Sequence, residues 1–311
     1  MSDIEQVQIF PTRQRITLND KATKLLFNLS PEWFSKMIND GKKQGVVEKR
    51  NHKKHGKIKS AFSLSNSEGY TQILPLDEYD RAIYDVFISE FENGNRVLTL
   101  PMVQRGLAGK IGKNGDSYGF NVYKDQRTAI LESIGKLRHT DYNADILDAY
   151  QKLGYIDKDE VNEGEEKIKK APVLATKQTE KIINGQKTDI FYILDEPPLL
   201  INAKRKKQIL TYDAELLDVP NQQNTPLIIM LKNYSLRRVL ESIKHPKQLK
   251  PILTLDDIFK KCRITDTPNV IKLRARKYLE EFFKHLQSKG VIKSFEFVKK
   301  GNKFHAVEFT F

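Results

Sequence analysis

The segment that most constrains the fold lies near the C-terminus, where the pattern of one long helix is followed by the pattern of a hairpin. From Asn269 to Ser288 apolar residues recur at the spacing of a single helical face, and Gly290 follows where a helix C-cap belongs. Two strand-like segments, 291–298 and 303–311, then flank the sequence Lys-Lys-Gly-Asn. The apolar stripe must be buried, so the pattern predicts a long helix packed against a hairpin with a basic tip. The residues of this stripe are Ile271, Ala275, Tyr278, Leu279, Phe282, Phe283 and Leu286.

Two shorter helical patterns precede this long helix. Residues 227–243 place apolar side chains on one face, and Thr254 with Asp257 three residues on resembles a capping box at the start of a second helix. A turn containing Pro268 separates that helix from the long one. Three helices followed by a hairpin are the order of a winged-helix domain. We therefore predict a C-terminal winged-helix DNA-binding domain over residues 223–311.

The same order recurs less regularly over residues 76–222. Helical patterns cover 80–91, a short segment capped by Thr99, and 124–137. Strand-like segments follow at 171–175 and 189–194, and the sequence Asn-Gly between them is a strong signal for a hairpin turn. The pattern predicts a first winged-helix domain with insertions.

The remaining segments are insertions and an N-terminal arm. A glycine-rich stretch at 109–119 and an acidic stretch at 157–167 interrupt the first domain. Residues 1–75 show two short helical patterns, 21–28 and 31–40, and then a lysine-rich run at 41–59 that is either flexible or strand-forming. That run contacts phosphates or is a solvated ribbon. The predicted fold class is α+β, with two winged-helix domains and a basic N-terminal arm.

Positive charge is concentrated at the two ends of the chain. Of the formal net charge of +13, residues 226–311 carry +11, from 19 Lys and Arg against 8 Asp and Glu, whereas residues 76–225 carry −4 and residues 1–75 carry +6. A basic region within a folded domain favours a polyanionic partner, because each neutralised phosphate releases counterions. Nucleic acid is the first expectation, a membrane surface is a weaker one, and a generic basic surface is the third.

The sequence also indicates the cellular compartment of the protein. No stretch approaches the roughly 20 apolar residues of a membrane-spanning helix, and the first ten residues lack the basic start and apolar core of an export signal. Cys262 is the only cysteine, so no internal disulfide forms. We therefore expect a cytoplasmic protein without a membrane partner.

Outward side chains at the start of the long helix are the candidates for reading DNA. In a helix-turn-helix the N-terminal part of the second motif helix enters the major groove. Arginine presents a fork that matches the two acceptors of guanine, whereas lysine suits phosphate. We predict that Arg274 and Arg276 read bases, the alternative being a solvated charged face. The predicted contacts to the DNA backbone are Lys272, Lys277, Lys299 and Lys300.

Two further basic sets, in the first domain, are weaker candidates. One lies at the start of its predicted third helix, and the other is a charge run that either contacts phosphates or is a solvated surface. The first domain is net acidic, so its helix has a weaker claim to DNA than the C-terminal one. These candidates are Lys124, Arg127, Lys204, Arg205, Lys206 and Lys207.

The known signatures of catalysis, cofactors and metals fail on spacing. Five residues separate Gly106 from Gly112 where a phosphate-binding loop needs four, and Asn114 stands where Ser or Thr is required. His52 and His55 have metal-like spacing, but no further cluster completes a site. No pair of histidines flanks an apolar residue, as a rolling-circle nicking enzyme would need. We predict no catalytic residue, no cofactor and no metal.

Three segments carry a resemblance to a known family: LPLDEYDRAIYDVFISEFENGNRVLTLPMVQRGLAGK at 74–110, ILDEPPLLINAKRKKQILTYDAELLDVP at 193–220 and LKNYSLRRVLESIK at 231–244. From about Thr17 onward the chain resembles plasmid-type replication initiators with two winged-helix domains, found on mobile elements of low-GC Gram-positive bacteria. The resemblance implies binding to origin repeats, recruitment of host helicase and polymerase, and a homodimer that represses its own promoter. It also implies that the C-terminal domain dominates sequence reading. The two insertions depart from that pattern.

Together these features predict a non-enzymatic, sequence-specific protein that binds double-stranded DNA at origin repeats and initiates plasmid replication. A winged-helix transcriptional regulator is the alternative, because a fold does not fix a function. A nuclease or primase with scattered carboxylate ligands is the third class. Direct repeats of about 20 base pairs beside the gene, two helical turns, would favour initiation.

Overall fold

The structure is a computed structural model in which helices alternate with small antiparallel sheets, so the predicted α+β class is confirmed. The residues that it describes are 12–27, 44–52, 56–63, 76–110, 122–142, 171–183, 186–205, 207–301 and 303–311. Residues 31–40, the acidic stretch 157–167 and most of the glycine-rich stretch lie outside these ranges.

The helices in chain order are α1 Lys21–Leu26, α2 Glu78–Glu92, α3 Leu100–Ala108, α4 Lys124–His139, α5 Pro198–Arg205, α6 Pro226–Lys244, α7 Leu255–Lys261 and α8 Asn269–Ser288. The strands are β1 Gln14–Leu18, β2 Gln44–His52, β3 Gly56–Ser63, β4 Val97–Thr99, β5 Asp141–Tyr142, β6 Ala171–Pro172, β7 Thr176–Ile183, β8 Gln186–Ile193, β9 Ile209–Asp213, β10 Ile252–Thr254, β11 Ser294–Lys300 and β12 Lys303–Thr310. A 3-10 turn at Ala214–Leu217 follows β9.

The six predicted helices of the two domains lie where the periodicity of the sequence places them, whereas α5 was not predicted. α8 begins and ends at the predicted residues, and Gly290 follows it with a left-handed φ of 72°. At the start of α2, the carboxylate of Asp77 accepts the backbone N–H groups of Tyr79 (2.9 Å) and Asp80 (3.0 Å). The Asp80 carboxylate in turn accepts the Asp77 N–H (2.8 Å), which completes a capping box.

The Asn-Gly sequence does join two strands, but the first strand begins later than predicted. β7 and β8 pair antiparallel up to Ile183 opposite Gln186, which confirms the hairpin. The segment 171–175, predicted as its first strand, instead folds against the end of α4. Val173 donates its N–H to the carbonyl of Thr140 (2.8 Å), and β6 pairs with β5. Local β-propensity marked this segment as extended, and packing against α4 decided its partner.

Two three-stranded sheets repeat one topology. In each, a short strand pairs with the second strand of a hairpin, giving the orders β4-β8-β7 and β10-β12-β11. Each short strand runs directly into a helix through a capping threonine. The Thr99 hydroxyl accepts the N–H of Met102 (3.4 Å), and the Thr254 hydroxyl accepts that of Asp257 (3.2 Å). The predicted capping box is half formed, because the Asp257 carboxylate accepts the Thr254 hydroxyl.

Part of the N-terminal segment belongs to the folded body. β1 pairs antiparallel with β9, and Leu18 is buried in the core around α2. Within the lysine-rich run, residues 44–52 and 56–59 lie in the paired strands β2 and β3, so the strand-forming alternative is confirmed for them. The division of the chain at residues 75 and 222 stays a prediction.

α6 joins two clusters of buried side chains. Ile229 packs into the cluster built around α2, whereas Leu231 and Leu236 pack into the cluster built around α8. α2 and α6 pack together through buried charges: both carboxylate oxygens of Glu78 accept the Arg237 guanidinium at 2.8 Å. Burial disfavours the charge of Arg237, yet the Glu78 carboxylate raises its pKa above the ordinary value. Loss of either partner leaves a buried charge unpaired, at a cost of about 3–5 kcal/mol.

Candidate nucleic-acid interface

The first two turns of α8 present an uncovered stripe that mixes apolar and cationic side chains. Val270, Leu273, Arg274 and Lys277 follow the i, i+3, i+4, i+7 spacing of one helical face. Arg274 and Lys277 are exposed, and the side chains of Val270 and Leu273 are 53% and 47% exposed. The opposite face buries most of the predicted core stripe, and Ile271 and Tyr278 are only partly buried. Among the described residues, neither Arg274 nor Lys277 has an ion-pair partner.

The electrostatics of this helix end favour an anion. The first turn of α8 contains no acidic residue, and Pro268 at the N-cap offers no side-chain hydrogen bond. By contrast, α7 carries Asp256 and Asp257 in its first turn. The partial positive charge of a helix N-terminus is therefore left without a neutralising carboxylate in α8, and Arg274 and Lys277 add to it.

Arg276 has a different environment from Arg274. Its guanidinium carbon lies 4.1 Å from the centroid of the Phe304 ring on β12, and the Lys299 ammonium lies 4.9 Å from the same centroid. Arg276, Lys272 and Phe304 are half-buried. The Phe304 ring thus connects the side of α8 to the hairpin, and two positive charges lie beside it. Of the two predicted base-reading arginines, only Arg274 points away from the body of the chain.

The β11–β12 hairpin has an exposed tip rich in lysine. Lys299 and Lys300 are exposed as the sequence suggested, and Gly301 takes a left-handed φ of 63° in the turn. Lys300 stands directly opposite Lys303, which is also exposed. Like charges placed opposite each other destabilise a hairpin, so this pair has an electrostatic cost within the chain. Sequence reasoning missed Lys303, although its position next to the turn was visible.

We call residues 76–225 the first half and residues 226–311 the second half. α4 is the helix of the first half that corresponds to α8, and several of its polar side chains bond to other residues of the chain. Arg127 donates through Nε (3.0 Å) to the buried carboxylate of Asp189 on β8, and its Nη2 lies 2.8 Å from the same oxygen. The side-chain amide of Gln126 donates to the carbonyl of Asn224 (3.3 Å). Lys124 is exposed at the start of the helix, with Asp125 beside it in the first turn. This helix end carries fewer uncommitted cations than that of α8.

The β7–β8 hairpin carries three exposed lysines that sequence reasoning did not name. They are Lys177, Lys181 and Lys187. The Lys187 ammonium lies 3.5 Å from the exposed carboxylate of Glu180, so part of this charge is compensated within the hairpin. Their clustering around the Asn-Gly turn was the signal that could have identified them.

The charge run at 204–207 does not form one continuous patch of uncommitted cations. The Lys204 ammonium forms ion pairs with carboxylates of Glu92 and of Glu196, the latter at 3.0 Å. Lys207 is exposed and has a left-handed φ of 52°. The side chain of Arg205 and the whole of Lys206 lie outside the described residues.

Within the described ranges, no three His, Cys, Asp or Glu side chains gather as ligands for a metal ion. Cys262 is buried in the core around α8, and burial raises the pKa of its thiol. No helix within the described part of the chain is long and apolar enough to cross a bilayer. No family model, curated protein or solved structure matches the chain.

Proposed function

We propose that this chain binds double-stranded DNA sequence-specifically, with the start of α8 in the major groove and the β11–β12 hairpin on the adjoining backbone. The observation that carries the proposal is the uncovered stripe with Arg274 and Lys277 beside a hairpin tip with three exposed lysines. The major groove, about 12 Å wide, admits an α-helix. Phosphates would relieve the repulsion among these cations and release their own counterions.

The order of elements supports assigning both halves to the winged-helix class. α6, α7 and α8 precede the β11–β12 hairpin, and α2, α3 and α4 precede the β7–β8 hairpin. In each half a short strand before the second helix joins the hairpin to make a three-stranded sheet. In such a domain the third helix is the reading helix and the hairpin is the wing.

The contacts of each side chain suggest its role. Arg274, with no partner in the described part of the chain, is assigned to a base edge, where its fork matches guanine. Arg276 is assigned to holding the hairpin against the reading helix, because its guanidinium stacks on Phe304. Lys272 and Lys277 on the helix, and Lys299, Lys300 and Lys303 on the hairpin, are assigned to phosphates.

We propose that the biological role is initiation of plasmid replication without catalysis by the chain itself. The resemblance of 74–110, 193–220 and 231–244 to replication initiators supports this role, and two domains of one plan suit repeated sites in an origin. Host helicase and polymerase components, and a second copy of the chain, are the protein partners that this role would require.

The DNA-binding proposal is tested by selecting a preferred duplex from random sequences and measuring its affinity alongside that of a scrambled duplex. Arg274→Ala is expected to cost about 1–3 kcal/mol on the selected duplex and little on the scrambled one. Lys284→Ala is the matched control, since Lys284 is exposed further along α8 and pairs with Glu280 at 2.7 Å. Equal losses on both duplexes for Arg274→Ala would overturn the base-reading assignment.

The initiator role is tested by placing the gene and its upstream DNA on a vector that the host does not otherwise maintain. Replication of that vector, lost in Arg274→Ala, is the expected result. If the vector fails to replicate while the selected duplex is bound and a reporter promoter is repressed, the chain is a transcriptional regulator. Magnesium-dependent cutting or priming of DNA would instead show an enzyme.

A further inference from the structure

We infer that Val270 and Leu273 contact the 5-methyl groups of thymines next to the base read by Arg274. The inference rests on the proposed function and narrows its target: a site in which thymines adjoin the guanine that Arg274 contacts. Thymine is the only base that presents an apolar group in the major groove, and apolar side chains are its usual partners.

The first support is the unusual exposure of these two side chains. In the described part of the chain six large apolar side chains are exposed: Tyr123, Ile182, Leu194, Val270, Leu273 and Phe311. Only Val270 and Leu273 share one face of one helix. Single exposed apolar residues are ordinary, whereas a pair on the face that carries Arg274 and Lys277 calls for a partner. Neither side chain belongs to the core around α8.

The second support is charge, which selects DNA over a second copy of the chain. In a two-fold symmetric contact the same patch is used on both copies, so the patch that carries Arg274 and Lys277 would face an equally cationic patch. Such like-charge contacts are unfavourable, and no acidic residue in the first turn of α8 relieves them. DNA offers thymine methyl groups between two rows of phosphates. The methyl groups can contact the apolar side chains of the stripe, and the phosphates can contact its cations.

The third support is the spacing. Three residues of helix advance about 4.5 Å along the axis, close to one base-pair step of about 3.4 Å. Side chains at i and i+3 therefore reach neighbouring base pairs. Arg274 follows Leu273 directly, so the guanine it reads lies next to the thymine under Leu273.

The test compares the selected duplex with duplexes in which single thymines are replaced by deoxyuridine, which removes one methyl group and keeps the pairing. The wild-type chain is expected to lose about fourfold in affinity at each contacted thymine, the worth of one buried methyl group. Leu273→Ala is expected to bind the thymine duplex as weakly as wild type binds the corresponding uracil duplex, and to be insensitive to that substitution. Leu194→Ala, an exposed apolar residue in the first half, is the control and should keep the full difference.

The outcomes separate the inference from the proposed function. If wild type binds the selected duplex but ignores every uracil substitution, the methyl contacts are wrong and DNA binding stands. If no duplex is bound above background, the proposed function fails and the inference fails with it. If Leu273→Ala abolishes self-association in sedimentation while its response to uracil stays that of wild type, the stripe is a dimer contact. Circular dichroism and Leu273→Gln as a second variant ensure that a loss of affinity is not a loss of folding.

Discussion

The two halves of the chain share one order of elements but use their cations differently. In the first half Arg127 is paired with Asp189, and Lys204 with Glu92 and Glu196. In the second half Arg274 and Lys277 have no ion-pair partner among the described residues. Net charge follows the same division, with −4 over residues 76–225 and +11 over residues 226–311. A count of basic residues is therefore a poor guide to an interface, because a cation already paired with a buried carboxylate is held for stability.

The largest expected effect is on the salt dependence of DNA binding. If the five lysines of α8 and its hairpin that are assigned to phosphates make one contact each, affinity should fall roughly five-hundredfold between 50 and 200 mM salt. Replacing Lys299, Lys300 and Lys303 by alanine should flatten the slope of log affinity against log salt by about two to three units. Fluorescence anisotropy at five salt concentrations measures this slope.

The matched control replaces the three lysines of the first hairpin, Lys177, Lys181 and Lys187. Their replacement by alanine should leave the slope nearly unchanged if the halves differ as described. If the two triple variants flatten the salt slope equally, both hairpins contact phosphates. The proposed difference between the two halves would then be wrong.

The next effect contrasts one arginine from each half. Arg274→Ala should lose about 1–3 kcal/mol of affinity for the selected duplex, about 5- to 150-fold, with an unchanged melting temperature. Arg127→Ala should do the reverse. It should bind DNA normally but unfold at a lower temperature, because it leaves the buried Asp189 carboxylate without its charged partner, a loss of about 1–3 kcal/mol. Loss of affinity in Arg127→Ala without loss of stability would place α4 on the DNA.

A pH-dependent effect is expected from the buried Asp80 carboxyl in the first half. Burial, with a further contribution from Asp77, raises the pKa of Asp80 to about 6. The Lys136 ammonium, 2.7 Å from the Asp80 carboxylate, opposes this rise. The ionised Asp80 carboxylate therefore lowers the free energy of unfolding above pH 6. This loss of stability decreases as the carboxylate is protonated below that pH. Lys136→Met removes the opposing charge, so it should destabilise the protein by about 1–2 kcal/mol more at pH 8 than at pH 5. Urea unfolding at the two pH values measures the difference, and an equal loss at both would contradict the assignment.

The smallest expected effect compares two single lysines. Lys277→Ala should flatten the salt slope by about one unit, the share of one phosphate contact. Lys204→Ala should not change the slope, because its ammonium is held by Glu92 and Glu196. Its loss should cost at most about 1 kcal/mol of stability, as for other partly exposed ion pairs. If Lys204→Ala changes the salt slope, the 204–207 run contacts DNA after all.

The sequence by itself determined the local structure and the distribution of charge. The bounds of α8, the threonine caps of α3 and α7, and the two hairpin turns all follow from residues within one or two turns of each other, and periodicity and capping encode them directly. The repeated segments VLTL at 97–100 and ILTL at 252–255 also mark the two equivalent strand-to-helix junctions, although this signal was missed.

Only the tertiary structure decided which side chains remain available. Phe304 meets Arg276 across 28 positions of sequence, and Asp189 meets Arg127 across 62, so no local pattern records either contact. The pairing of β1 with β9 joins the N-terminal segment to the end of the first half in the same way. Val270 and Leu273 were ordinary apolar residues in the sequence, and they became candidates for a DNA contact only when neither was found in the core around α8. The reason is physical: helices and turns are set by neighbours in the chain, whereas burial and ion pairing depend on neighbours in space.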